Sequence, residues 1–385
     1  MHGLRDVAIG RNNNFNLLRM IAATAVLISH AFPISLGEQA TEPFEPTLHF
    51  SLGTLAVLTF FAISGFFISQ SFDRRRSLID FATARVLRVY PGLLVTLLIS
   101  ALIIGPMLTT MPLVSYFADR DTALYVTRNL TLKWLQYDLP GVIRDNPYAG
   151  IINGSLWSLF YEVSCYVLVV AIGLSGVAGR HYRFTAFLGF YLIVYAGYNL
   201  IGIRNHLMLE EFHQLTLAFV AGMALYHFRR HVPLNGILVV GCAVVTLLAY
   251  RTPWFYVVFV LSWSYLIFFL GYLRYAPIRI YNRLGDYSYG MYIYAFPCEQ
   301  IATALWKGIS PLELIAISLP ATLCCATLSW HLIESPALAH RVVIAGWLER
   351  KLTRAVGGRI WDGLSARRSP LIRTEPGSAS VANRQ

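Results

Sequence analysis

Ten apolar runs constrain this chain more than anything else in its sequence. They occupy residues 15–34, 52–71, 89–108, 152–175, 184–203, 212–227, 234–250, 254–272, 287–306 and 312–333. A bilayer core of about 30 Å takes roughly 20 apolar residues of α-helix to cross, and most of the runs meet that length. The sixth and seventh, 212–227 and 234–250, are short enough to be broken or re-entrant segments. With 56% of its residues hydrophobic and 13% charged, the chain falls well below the quarter charged of a typical soluble domain. A globular surface of this size could not be covered by so few polar groups. The expected fold is an all-α integral membrane protein with about ten transmembrane helices.

The charge pattern sets the expected orientation. A net charge of +11 in a soluble protein would point to nucleic acid; in a membrane protein, Lys and Arg collect on the cytoplasmic side. With the amino terminus inside, 23 of the 31 Lys and Arg fall on cytoplasmic segments and 7 on outer loops, while Arg19 lies within the first span. Both termini are therefore expected in the cytoplasm, with the lipid bilayer rather than nucleic acid as partner. Residues 1–14 lack the pattern of a signal peptide, so the first run is expected to stay as a helix. The five cysteines (Cys165, Cys242, Cys298, Cys324 and Cys325) lie in apolar runs without metal-ligand spacing and read as packing residues. No metal is expected. Beyond the last run, residues 341–359 mix apolar and basic side chains, which suits an amphipathic helix on the inner leaflet or a short solvated helix. The expected division is a transmembrane domain at 1–336, a basic amphipathic segment at 337–368 and a disordered polar tail at 369–385.

Ionisable residues in mid-span are costly and mark candidate functional positions. Arg19 and His30 share the first span, eleven residues apart. At about 100° per residue they lie on one helical face, roughly 16 Å apart along the axis. Asn16 joins that face, and a polar stripe of this kind must face other helices or a water-filled cavity rather than lipid. The alternatives are snorkelling for Arg19 and a satisfied interhelical hydrogen bond for His30. Glu162 enters with the fourth span, roughly 13 Å along from Asn153. Its depth is compatible with contact to His30, and a carboxylate beside an imidazole fixes its tautomer and raises its basicity. The alternative is a structural partnership of Glu162 with Arg or Tyr.

Two further segments stand out. The second span contains Phe60-Phe61-Ala62-Ile63-Ser64-Gly65-Phe66, where Gly65 permits close backbone approach and Ser64 supplies a hydroxyl at mid-depth. The next cytoplasmic loop ends with Arg85 and Arg88, which share a face if helical and suit a bidentate phosphate clamp. Ordinary positive-inside anchoring is the competing explanation, and it does not account for the spacing.

Taken together, these segments resemble the acyltransferase 3 family of membrane acyltransferases. The resemblance is carried by Arg19-x10-His30, Phe60-Phe61-x-x-Ser64-Gly65-Phe66, Arg85-x-x-Arg88-x-x-Pro91, Ser155-Leu-Trp157-Ser-Leu-x-x-Glu162, Ser288-Tyr289-Gly-Met-Tyr292 and Glu334-x-Pro336. Each motif is weak alone, but the set occurs in order over residues 11–336. The resemblance implies transfer of an acyl group, usually acetyl from acetyl-CoA, to a hydroxyl of a carbohydrate such as an exopolysaccharide, lipid-linked saccharide or lipo-oligosaccharide. It implies that Arg19 and His30 are an essential pair, that Arg85 and Arg88 serve the acyl-CoA site, and that Ser64 and Glu162 are further motif positions. The tyrosine-rich stretch Tyr292-Ile-Tyr294-Ala295-Phe296-Pro297 departs from members that carry a histidine there, which places more weight on His30.

The expected mechanism follows. Arg85 and Arg88 hold the phosphates of acetyl-CoA at the cytoplasmic end, with Arg19 deeper at the pantetheine end. His30 is the general base on the acceptor hydroxyl, oriented by Glu162. Direct transfer and a covalent intermediate on His30 or Ser64 both stay open. The expected location is the inner (plasma) membrane of a bacterium, with homo-oligomerisation undecided. The competing function is a saccharide or lipid transporter or flippase without chemistry; it explains the mid-span charges equally well but not the ordered motif set.

Overall fold

Each of the ten apolar runs falls on a helix in the computed structural model, which describes residues 4, 13–75, 77–201, 207–273, 281 and 285–356. The helices are α1 Phe15–Leu36, α2 Leu52–Arg74, α3 Leu78–Leu108, α4 Gly154–Leu174 and α5 His181–Ile201. They continue with α6 Leu207–His227, α7 Gly236–Ala249, α8 Phe255–Gly271, α9 Ser288–Leu305 and α10 Pro311–Ala339. No strand occurs among the described residues, so the all-α class holds. Six helices (α1 to α5 and α10) are long and apolar enough to cross a membrane by length and composition. The sixth and seventh runs, short enough to be broken or re-entrant, each fall on one unbroken helix. Helix α6 has 21 residues because it begins five residues earlier than its apolar pattern, in a turn that carries Glu210 and Glu211. There Glu211 accepts a hydrogen bond from the Tyr161 hydroxyl at 2.6 Å, so this carboxylate is partnered inside the helix frame. Helix α7 has only 14 residues.

Local chemistry fixes where the helices begin. Ser51 and Ser77 accept hydrogen bonds from backbone N–H groups in the first turns of α2 and α3, and Ser310 forms a reciprocal capping box with Glu313 at the start of α10. Helices α3 and α10 each contain a π turn, at Ser100–Ile104 and Trp330–Glu334. Such one-turn bulges often sit at functional sites, and the second carries Trp330, which lines the cavity described below, and Glu334, which pairs with Arg88.

Helix α2 is central and mostly buried, while α5 and α7 present most of their length outward. Exposed Ile193, Leu200, Ile237, Leu247 and Leu248 mark the outward faces of these two. The closest seam is α2 against α6. A Cβ on Gly65 would strike the backbone of Phe219, and one on Gly222 would strike the backbone of Ala62. The two glycines thus let the helix backbones touch, as small residues do in membrane bundles. Helix α9 packs between α1 and α10. Met291 and Ala295 share a buried cluster with Ala23 and Leu27 of α1, and Phe296 and Ala302 share another with Ala31 and Ile34. Helices α1 and α9 therefore run in the same direction.

Two peripheral pieces complete the frame. The segment 109–151 between α3 and α4 holds short helices, Leu113–Ala118 and Arg120–Leu130. It is tied down by Tyr116, whose hydroxyl donates to the Ala101 carbonyl at 2.8 Å, and by Asn146, which donates to the Gln300 side chain at 2.7 Å. This segment is a packed cap on the bundle. At the other end, α11 (Arg341–Val356) docks on the start of α3 through a Glu349–Ser77 hydrogen bond and an Arg341–Asp80 ion pair of 3.3 Å. Val342, Val343 and Trp347 stay exposed on its other side. The remainder of the basic segment, 357–368, and the tail at 369–385 lie outside the described residues.

Candidate active site

Helix α1 starts at a fixed place because the Asn14 side chain donates to the carbonyls of Leu270 and Leu273, at 3.0 and 2.9 Å. Arg19 follows one turn in, its guanidinium over the Phe67 ring and 3.8 Å from Asp286. Helix α3 delivers Arg85 and Arg88 three residues apart, as its sequence spacing predicted. Their surroundings differ. Arg88 forms ion pairs with Asp286 at 2.7 Å and Glu334 at 3.6 Å, and lies over the rings of Tyr289 and Trp330. Arg85 makes no ion pair with a carboxylate among the described residues. It lies over the Tyr166 ring at 5.9 Å, and its Nε is buried without a hydrogen-bond partner.

Asp286 joins the cluster together. It receives the Ser288 hydroxyl at 2.6 Å as well as the two arginines. Burial alone would raise its carboxyl, but Arg88, Arg19 and Ser288 outweigh burial and hold it below its ordinary value. Glu162 accepts from the Tyr166 hydroxyl at 2.5 Å and from Ser64 at 3.3 Å. These groups line one cavity of about 290 Å³, whose walls include Arg19, Ser64, Arg85, Arg88, Glu162, Tyr166, Asp286, Tyr289, Tyr292 and Trp330. Five of the six residues singled out in the sequence thus meet at one place.

The sixth does not. His30 is absent from this lining, and the expected His30–Glu162 pair is not formed. Helix α4 packs on α2, so Glu162 meets Ser64 of α2. The His30 ring instead meets α9, edge-on to Phe296 with centroids 5.2 Å apart, and its Nδ1 is buried without a partner. Similar depth was therefore a poor guide to contact, because depth says nothing of which neighbour a helix faces. Sequence reasoning also missed Asp286, which sits just before the Ser288-Tyr289 motif, and Tyr166, one turn beyond Glu162. No group of three or more His, Cys, Asp or Glu that could hold a metal occurs among the described residues.

A cavity lined by arginines and carboxylates, inside a bundle of apolar helices, defines a membrane protein built to hold a charged ligand. Comparison with known proteins narrows the class. A family model described as an acyltransferase domain matches residues 12–330, and the chain belongs to that family, acyltransferase 3. It is a membrane acyltransferase. It is 30% identical over 342 residues to an O-acetyl transferase of Shigella phage Sf6, covering 84% of this chain and 95% of that protein. It is 26% identical over 366 residues to nodulation protein 10 of Rhizobium leguminosarum bv. viciae, covering 86% and 95%. No solved structure matches the chain.

Proposed function

We propose that this enzyme transfers an acetyl group from acetyl-CoA to a hydroxyl of a carbohydrate acceptor, such as an exopolysaccharide, a lipid-linked saccharide or a lipo-oligosaccharide. The similarity to an O-acetyl transferase supports the acyl group and the oxygen acceptor. The observation that carries the donor assignment is Arg85, a buried guanidinium with an unpartnered Nε that lines the cavity at the start of α3. A buried cation without a carboxylate is matched by an anionic ligand, and guanidinium suits phosphate oxygens. Arg88, already neutralised by Asp286 and Glu334, lends the second guanidinium of the pair. Arg19 lies deeper along α1, toward the pantetheine arm. Glu162 holds Tyr166, which in turn floors Arg85.

The transfer itself falls to His30. Its ring nitrogen takes the proton of the acceptor hydroxyl as the oxygen attacks the thioester carbonyl. The new C–O bond forms, the C–S bond breaks, and the proton passes to the departing CoA sulfur. A relay through an acyl-Ser64 is a second route, favoured by the Ser64–Glu162 hydrogen bond; acetyl label retained on denatured protein distinguishes it from direct transfer. The helices cross the membrane ten times with both termini in the cytoplasm of a bacterial inner membrane. This arrangement draws on the ten helices and the 23 to 7 division of basic residues. Residues 1–336 form the membrane domain, and the helix α11 that follows rests against the inner leaflet.

The test is acetyl-CoA turnover by the purified full chain, together with NMR of glycans from cells with and without the gene. Loss of O-acetyl esters in the deletion strain is expected. Unchanged glycan acetylation, with no acetyl-CoA turnover by the purified protein, would overturn the assignment.

A further inference from the structure

Helix α9 carries a mid-span carboxyl that the reaction above leaves unused. Glu299 is fully buried, and neither of its carboxyl oxygens makes a hydrogen bond among the described residues. Ionisable groups in the interior of a membrane bundle are costly and are usually paired. The hydroxyls of Thr303, one turn along α9, and Thr322 of α10 are also buried and unpartnered.

The packing of α9 on α1 says where Glu299 points. Three residues before it, Phe296 meets the His30 ring. Three residues after it, Ala302 belongs to the buried cluster that holds Ala31 and Ile34 of α1. At about 100° per residue, Glu299 lies between Phe296 and Ala302, about 60° from each. One turn back along α9, Ala295 belongs to the cluster that holds Leu27. With α9 packed on α1, these positions put Glu299 on the α1 side of its helix, near the level of His30 and Ala31. His30 brings a buried, unpartnered Nδ1 to the same level. Glu162, the carboxyl first expected beside His30, is occupied by Tyr166 and Ser64.

We propose that Glu299 is the positioning residue for His30. With substrates bound, its carboxylate accepts the hydrogen bond of one ring N–H, which leaves the other ring nitrogen free for the acceptor hydroxyl. Contacts of this kind are often open in an unliganded site and tighten when substrate arrives. The proton balance is simple. The hydroxyl proton moves to the free ring nitrogen, the other N–H stays shared with Glu299, and the first proton leaves with the CoA sulfur. The carboxylate steadies the transient imidazolium and fixes the tautomer, as carboxylates do for histidines elsewhere. This inference rests on His30 acting as the base. The competing role is a protonated Glu299 that packs against Thr303 and Thr322 and takes no part in turnover.

The experiment uses the full chain in lipid nanodiscs, with radiolabelled acetyl-CoA and the purified acceptor glycan. Glu299→Gln keeps the shape of a protonated carboxyl. It is expected to lower kcat about 10- to 100-fold while leaving acetyl-CoA affinity within about twofold. Glu299→Asp, which retains the carboxylate, is expected to recover part of the loss. In a His30→Ala background, Glu299→Gln is expected to add no further loss, because groups that act as a unit are not additive. Full kcat in Glu299→Gln beside an inactive His30→Ala overturns the positioning role alone. A loss that simply adds to that of His30→Ala, or one that appears as weakened acetyl-CoA binding, also overturns it. An active His30→Ala overturns the base assignment and the pairing with it.

Discussion

The two ends of helix α1 follow opposite electrostatic rules. At the N-terminal end, Arg19 enters a cluster in which Arg88 is compensated by Asp286 and Glu334, and Asp286 in turn by two arginines and Ser288. At the C-terminal end, His30 and Glu299 carry buried ring or carboxyl atoms that have no partner among the described residues. The N-terminal end is organised around permanent charge, which suits holding an anion. The C-terminal end is organised around groups that need not be charged at rest, which suits moving a proton. Within the charged cluster, Arg85 has no carboxylate partner among the described residues, which leaves its guanidinium for a ligand.

Four substitutions test this contrast, beginning with the largest effect. His30→Ala at the C-terminal end removes the proposed base, and turnover should fall by about 10²- to 10⁴-fold, with acetyl-CoA still bound. Binding isotherms alongside NMR of the glycan product check both halves. Near-normal acetylation would dissolve the distinction between the ends. Arg88→Ala at the N-terminal end leaves Glu334 without its cation and Asp286 with Arg19 alone. Breaking a buried pair in this way costs about 3–5 kcal/mol, so this variant should show a large drop in melting temperature in detergent. Arg85→Ala, by contrast, should fold normally and lose about 1.5–3 kcal/mol of acetyl-CoA binding, the contribution of a hydrogen bond to a charged group. Equal effects of Arg85→Ala and Arg88→Ala on stability would remove the asymmetry between the two arginines.

The fourth effect is small and concerns pH. Because its arginines hold Asp286 below its ordinary value, its stabilising contribution is fully present above the unfolded carboxylate pKa of about 3.9. It is lost only as pH falls through the lower folded value. The melting deficit of Asp286→Asn relative to the parent should therefore be the same at pH 7.5 and pH 5. A deficit that shrinks over that interval would mean that the cluster does not hold this carboxyl ionised.

Much of the frame was legible in the residue order, because lipid imposes a simple length rule. Ten apolar runs fall on ten helices, and Gly65 sits where two backbones touch. The three-residue spacing of Arg85 and Arg88 placed both on the cavity. What could not be read was adjacency between helices. His30 and Glu162 share a depth but face different neighbours, α9 and α2. The polar start of α6 was hidden because Glu210 and Glu211 break an apolar run without breaking a helix. Asp286 was hidden for another reason: it precedes its helix, where a carboxylate looks like ordinary loop polarity until Arg88 is seen beside it. Glu299 was within reach, since the rule that drew attention to Glu162 applies equally to an acid in the ninth run.

Helix α7 carries a consequence beyond the reaction. Its 14 residues extend about 21 Å, well short of a hydrocarbon layer of about 30 Å, and its outward leucines have no protein to cover them. Were all ten helices to cross, the surrounding lipid would have to compress on that flank to meet it. The enzyme would then work inside an elastic dimple of its own making. The thickness of the host membrane would become a mechanical variable of the protein, with shorter-chain lipids gathered at that side.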